Sequence, residues 1–333
     1  MSLTTLWFVI IAFLWTGYFV LEGFDFGVGI LAPLVGRDEV GRRVALNTIG
    51  PVWDGNEVWV IVAGGATFAA FPDWYATLFS GFYLPLVAIL VALIGRGVAL
   101  EYRGKRDDAR WRRRFDAVIV AGSAVPAFGW GLVFGDIVHG VPLNPGGDYT
   151  GGPADLLNPY ALLAGLATLA LFTTHGAVFL ALKTAGDIRA AARRVLARIA
   201  GPTVVLAAAF LTWAQFVRGT TASVAVAAAA GLALLAGLAA AWRGRDGWAF
   251  TGTAAAIVLA VAALFTGLFP NLMPATSGPG LTVHNAAATG YALHVMTWIA
   301  LVFTPLVLGY QGWTYWVFRR RLTRAEATAG GHA

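Results

Sequence analysis

The chain has no cysteine among its 333 residues. That excludes disulfides, thiolate-held metals and Cys-ligated haems. Charge is also scarce. Only 12% of residues are Asp, Glu, Lys or Arg, against roughly 25% in soluble domains. A soluble fold of this length needs a polar surface, and the residues to build one are missing. Five histidines are present, and no two stretches carry them in repeated, depth-matched pairs.

What the chain has instead is apolar length. Hydrophobic residues make up 58%, and the mean hydropathy is +0.71. About 20 apolar residues cross a bilayer core as a helix. Nine stretches qualify, at about 5–31, 50–71, 77–101, 115–138, 158–182, 199–217, 222–242, 248–269 and 287–318. No strand-like alternation runs over a comparable length, and a backbone without water satisfies itself most simply as helix. The expected fold is an all-α membrane protein of about nine transmembrane helices in a single integral membrane domain spanning 1–333. Two four-helix bundles plus one helix is the expected grouping. The first stretch has no basic leader and no small-residue cleavage site, so it reads as a helix rather than a removable signal.

The net charge of +6 and pI near 9.9 suggest nucleic acid at first sight. The distribution argues otherwise. Of the 23 Lys and Arg residues, all but Arg96 and Arg218 fall in alternate loops or the tail. The intervening segments 72–76, 139–157 and 270–286 have none. This is the positive-inside pattern, and it predicts an outside N-terminus and a cytoplasmic C-terminus. Segments 139–157 and 270–286 are rich in Gly, Pro, Asn and Thr and read as turns. Trp313, Tyr315 and Trp316, beside the Arg-rich tail, read as an interfacial aromatic belt.

Ionisable residues within a membrane are costly and usually face a partner or a wet path. The first stretch holds Glu22 and Asp25 in LEGFDFGVG, the second Asp54 and Glu57 in GPVWDGNEVW, and the third Arg96 in LIGRGVALEY. Each acidic pair is spaced by three and shares a helix face. Alternating direction places Asp25, Asp54 and Arg96 at similar depth near the cytoplasmic side. Three readings follow: a stepped proton pathway, a salt bridge that fixes packing, or an ion or substrate site. Trp53 and Trp59 flank the second acidic pair, and Trp59 reads either as packing or as the lining of a gas path. His175 reads as a hydrogen-bonded helix residue. His139, His284 and His294 lie at or near outer helix ends, and His332 lies in the tail.

The runs GYFVLEGFDFGVGIL, NTIGPVWDGNEVWVIVAGGATFAAFPDWYATLFSGFYLPL and EYRGKRDDARWRRRFD, with LFPNLMPATSG and LTVHNAAATGYALHVMTW further on, resemble subunit II of cytochrome bd quinol oxidases along the whole chain. The resemblance implies a respiratory complex in the bacterial inner membrane that oxidises quinol and reduces oxygen to water without pumping. It implies haems b and d held by subunit I, no haem ligand and no catalytic residue in this chain, and a possible bound quinone or lipid. The implied partners are subunit I, small accessory membrane subunits, membrane quinol and lipids, with no nucleic acid. By motif matching, Asp54 and Trp53 fall near a proton path. Asp25 and Arg96 match positions of the pattern, and Trp59 falls near an oxygen path. One departure stands out: the turn between the sixth and seventh stretches is about four residues, where family members often carry a longer loop. A proton-coupled transporter and a structural scaffold are the competing readings.

Overall fold

The structure is a computed structural model that describes residues 2–325. Eleven α-helices occur among them. They are α1 (Leu3–Val35), α2 (Glu39–Asn47), α3 (Trp53–Ala70), α4 (Pro72–Gly81), α5 (Tyr83–Tyr102), α6 (Ala109–His139), α7 (Pro159–Lys183), α8 (Gly186–Arg218), α9 (Thr221–Trp242), α10 (Asp246–Leu268) and α11 (Gly290–Val317). Eight of these are long and apolar enough to cross a membrane. α3 is shorter, at 18 residues, and its first turn, WDGNE, is polar. Both of its ends are tied to other parts of the chain. Its first turns meet α1 through Asn56 and Asp25, while the Ala70 carbonyl at its last turn accepts from Ala288. Against nine expected stretches, eight helices among the described residues have the length and apolarity of a span, and α3, in the place of the second stretch, is not one of them.

Capping explains several starts. Ser2, Asp38, Asn158, Thr220 and Thr289 each accept a backbone N–H from the first turn of the helix that follows, which satisfies otherwise unpaired donors. Pro159 and Pro72 occupy first-turn positions that need no donor. Gly219 and Thr220 alone separate α8 from α9.

Some boundaries differ from expectation for clear reasons. The stretch 77–101 is broken at Phe82 into α4 and α5. α8 begins at Gly186 rather than 199, and α6 at Ala109 rather than 115. Hydropathy marks the lipid-buried part of a helix. Arg189, Arg193 and Arg194 are good helix formers, so the helix continues beyond the apolar stretch. The segments expected as turns contain short strands. β1 (Val141–Pro142) pairs in parallel with β3 (Ala275–Ser277), and β2 (Asn271–Met273) pairs antiparallel with β4 (Leu281–Thr282). The first ladder joins the two glycine-rich loops, and the second lies within 270–286.

α1 packs against α3 and α6 on one side and α7 on the other, and α7 leads on to α8 and α10. The α1–α7 crossing is very close. A Cβ on Gly27 would meet the Phe172 carbonyl and lie 2.7 Å from the Gly176 Cα. Only glycine on both helices allows this approach. α11 lies on the outside against α1 and α3, and Leu293 is its one fully buried residue.

The basic end is laced by ion pairs. Arg103 grips Glu39 through both terminal nitrogens at 2.9 Å and reaches Asp116 through Nε at 2.5 Å. Beyond α11 the chain turns back across this end. Leu322 exchanges backbone hydrogen bonds with Lys183 and Ala185, and Lys183 donates to the Phe318 and Arg320 carbonyls. Arg324 bridges Asp38 at 2.9 Å and Asp187 at 2.7 Å. The Gly41 N–H and, after it, Arg324 hold the Asp38 carboxyl below its usual range. That pairing is therefore present above about pH 4 and is lost as pH falls through the lowered value. Exposed pairs are also screened by salt. Arg324→Ala is expected to speed tryptic cleavage after Arg319–Arg321 several-fold at low salt. A wild-type rate unchanged by the substitution refutes the strap.

Candidate functional site

The apolar runs of α1, α3 and α5 bring their ionisable residues to one interior region. Glu22 and Asp25, three apart on α1, both have no accessible surface. Arg96 on α5 is equally buried and donates from Nη1 to Glu22 Oε2 at 2.8 Å. Two glycines admit this cation. Gly122 on α6 lies where a Cβ would sit 2.7 Å from the Arg96 Cβ, and Gly29 on α1 makes room for Ser123. The guanidinium also lies over the Phe26 ring, 5.0 Å from its centre, a favourable cation–π placement.

Asp25 takes its hydrogen bond from α3. Arg96 lies within electrostatic reach of it, but the hydrogen bond comes from Asn56, whose Nδ2 donates to Asp25 Oδ2 at 2.7 Å. Asn56 is itself fully buried on α3. Its Oδ1 accepts from Gln311 Nε2 at 2.9 Å and from the Tyr315 hydroxyl at 2.7 Å, both on α11. Trp59 Nε1 donates to Gln311 Oε1 at 3.2 Å. A Cβ on Gly17 would strike the Trp59 ring, so glycine there opens the notch that holds the indole.

Among the described residues, Glu22 Oε1, Asp25 Oδ1, Arg96 Nε and Nη2, and Ser123 Oγ are buried without a hydrogen-bond partner. Five polar atoms of this kind around one cation give the region a capacity for water that the apolar helices lack.

The expected residues therefore separate. Glu22, Asp25 and Arg96 come together. Glu57 is half-buried on α3, within electrostatic reach of Glu22, Asp25 and Arg96. Asp54 is exposed on the free face of α3 and acts on Glu57. The ion pair of Arg96 is with Glu22, three residues before Asp25 on α1. Trp53 packs over Gly97 of α5. Tyr315 is not part of a belt: its hydroxyl turns inward to Asn56, while Trp313 and Trp316 stay exposed.

Asn56, Gln311, Tyr315 and Ser123 are site residues that the sequence reading misses. Asn56 has a signal, since an amide between two acids in an apolar run seeks a partner. Ser123, in AGSAV, has none.

The histidines form no paired ligand set among the described residues. His175 is buried, with Nδ1 2.7 Å from the Thr253 hydroxyl and its ring stacked on Phe250. His139 contacts the Gly140 carbonyl, His284 and His294 are exposed, and His332 lies outside the described residues. No group of three or more His, Asp or Glu able to hold a metal occurs among the described residues. A further feature is an apolar cavity of about 470 Å³ bounded by α1 and α6 to α10 and lined by Phe19, Trp130, Phe172, Phe210, Leu235 and Phe265.

Comparison with known proteins is decisive for the family. The profile described as cytochrome bd terminal oxidase subunit II matches residues 3–318. The chain belongs to this family. Among its subunit II relatives, cytochrome bd ubiquinol oxidase subunit 2 of Bacillus subtilis is 40% identical, covering 98% of both chains. Cytochrome bd-I ubiquinol oxidase subunit 2 of Escherichia coli K12 is 33% identical, over 98% of this chain and 97% of its own. The bd oxidase structure from Geobacillus thermodenitrificans superimposes with a TM-score of 0.77, over 95% of this chain and 99% of that one. At 18% identity this last likeness concerns the fold alone.

Proposed function

We propose that the chain is subunit II of a quinol-oxidising, oxygen-reducing terminal oxidase in the bacterial inner membrane, where it packs against a haem-bearing subunit I and supplies protons from the cytoplasmic side. One observation carries the proton role: an unpaired carboxylate oxygen, Asp25 Oδ1, is buried beside the Glu22–Arg96 ion pair in a chain matched end to end by the family.

The two carboxylates of α1 have different jobs. Glu22 is tied to Arg96 and fixes α1 against α5. Asp25 has one oxygen held by Asn56 and the other without a protein partner. It is the group that exchanges protons. Exposed Asp54 and half-buried Glu57 on α3 form the approach from the basic end, taken as cytoplasmic by the positive-inside rule. A carboxylate facing lipid is costly, so the free face of α3 is where subunit I sits. Trp53 and Trp59 lie along that same helix as candidates for the interface or an oxygen path.

The haems b and d belong to subunit I, because this chain's side chains do not fit them. His175, its one buried histidine among the described residues, is pinned between Thr253 and Phe250. Quinol oxidation towards the outer face and proton uptake from the cytoplasm separate charge without a pump. The apolar cavity at α1 and α6 to α10 suits the tail of a quinone or lipid, and small accessory membrane subunits complete the expected assembly.

The test is purification of the tagged chain from its native membrane. A larger haem-bearing partner should co-purify, and oxygen uptake should follow addition of quinol. Asp25→Asn is expected to lower that uptake at least tenfold with haem content unchanged, and Asp54→Asn to lower it less. A haem-free preparation without oxygen uptake overturns the oxidase assignment. Full activity in Asp25→Asn returns the cluster to packing.

A further inference from the structure

An indole N–H can only donate a hydrogen bond, whereas an amide side chain donates at one end and accepts at the other. This asymmetry gives the half-buried polar chain of the site a direction. Trp59 Nε1 donates to Gln311, so the end of Gln311 that faces Trp59 is its oxygen. The nitrogen of Gln311 is left to face Asn56, which must then receive it on Oδ1. Tyr315 donates to the same Oδ1. With its oxygen engaged twice, Asn56 turns its nitrogen to Asp25 Oδ2. Every link in this series follows from the one before, and the first is fixed by an atom that cannot act the other way.

We propose that Trp59, Gln311 and Asn56 form a positioning relay that presents a fixed donor to Asp25 Oδ2 and reserves Oδ1 as the oxygen that takes and gives the proton. The inference rests on the proton role assigned above to Asp25. Three elements supply the relay: α1 holds the carboxylate, α3 holds Asn56 and Trp59, and α11 holds Gln311 and Tyr315. Asn56, Gln311 and Trp59 are positioning residues, since none of them accepts the transferred proton. A donor fixed on Oδ2 holds the carboxylate in one rotation and leaves Oδ1 as the oxygen without a protein partner. The other groups that face Asp25 are Glu22 on its own helix, Arg96 from α5, Glu57 from α3 and Tyr315 from α11.

Gln311→Glu reverses the relay with little change of shape. The carboxylate it introduces still accepts from Trp59 but has no proton for Asn56. Asn56 then turns its nitrogen to that carboxylate, the Tyr315 hydrogen follows in the same direction, and the Asn56 oxygen faces Asp25. Two acceptors face each other unless Asp25 is protonated. The experiment measures quinol-driven oxygen uptake by the intact complex across pH, together with redox-difference infrared spectra. In Gln311→Glu the acidic limb of the pH profile is expected to move up by about one unit, a tenfold change in proton affinity. A protonated-carboxyl band is expected that vanishes in Gln311→Glu/Asp25→Asn. If Gln311→Glu fails to assemble, Gln311→Met/Tyr315→Phe releases the Asn56 amide without adding charge and should move the same limb. A loss of activity uniform over pH, with no new band, means that these residues only pack α11 and overturns the relay. Should Asp25→Asn itself leave turnover intact, the proton role is what fails, and the two failures are thereby distinguished.

Discussion

Replacing Arg96 with Met should destabilise the assembled chain by about 3–5 kcal/mol, the usual penalty for breaking one partner out of a buried ion pair. Glu22 and Arg96 both have no accessible surface. Removing the cation leaves Glu22 Oε2 with no donor and places an unopposed negative charge beside Asp25 and Glu57. The chain answers by protonating Glu22 or by opening α5 away from α1, and either response lowers the melting temperature by several degrees. The compensated double substitution Arg96→Met/Glu22→Gln removes both charges together. It should recover most of the stability, because a buried pair replaced as a unit is often close to neutral. It should not recover turnover, because Asp25 and Glu57 then lack the cation that tempers their charge. Thermal melts of the purified complex, with haem absorbance as a second probe, decide the matter. A single substitution that melts with the wild type shows that the pair contributes nothing to stability.

Gly176→Leu is expected to have the largest effect of any single change in the chain. A Cβ at this position meets the backbone of Gly27 and lies 2.6 Å from the Val28 nitrogen. Backbone cannot rotate out of the way as a side chain does, so α1 and α7 must separate along the crossing. That separation loosens Phe24 from Phe179, whose rings stack at 4.0 Å, and opens the centre of the fold. Overpacking of this kind costs roughly 1–3 kcal/mol where side chains can yield, and more where they cannot. The expected outcome is no detectable complex in the membrane fraction. Gly64→Ala makes the matching control: a Cβ there meets nothing within 4 Å, and the chain alone should tolerate it. Normal accumulation of Gly176→Leu would refute the close crossing.

The helices are legible in the sequence because lipid demands long apolar runs and positive charge marks alternate loops. Their ends are less so. Arg189 and Arg193 look like loop residues on a hydropathy scale, yet α8 carries them on continuous helix. The break at Phe82 is hidden from hydropathy because both sides of it are apolar, although Gly81 before it and Pro85 after it are the residues that mark such a boundary. The acidic cluster is legible from the cost of Glu22, Asp25 and Arg96 in such surroundings. Which acid takes the arginine is not. Spacing by three fixes a shared face, but the partner depends on how far α5 slides along α1, and Gly122 sets that slide from a fourth helix. Tyr315 misleads for a related reason. A tyrosine beside an arginine-rich tail fits the membrane interface well, and its inward turn is imposed by Asn56, 259 residues earlier in sequence.

That separation has a consequence for biosynthesis. The groups around Asp25 are drawn from the first helices to leave the ribosome and from the last one. Until α11 inserts, Asn56 has its oxygen unserved, and Asp25 lacks a donor held in a fixed direction. The tail residue Arg324 then closes over Asp38 and Asp187, again joining early chain to late. A product truncated before residue 311 inserts most of its helices and still carries an open polar wound in the membrane. Closure of the buried polar cluster therefore waits on Gln311 and Tyr315, the donors to Asn56 that α11 brings.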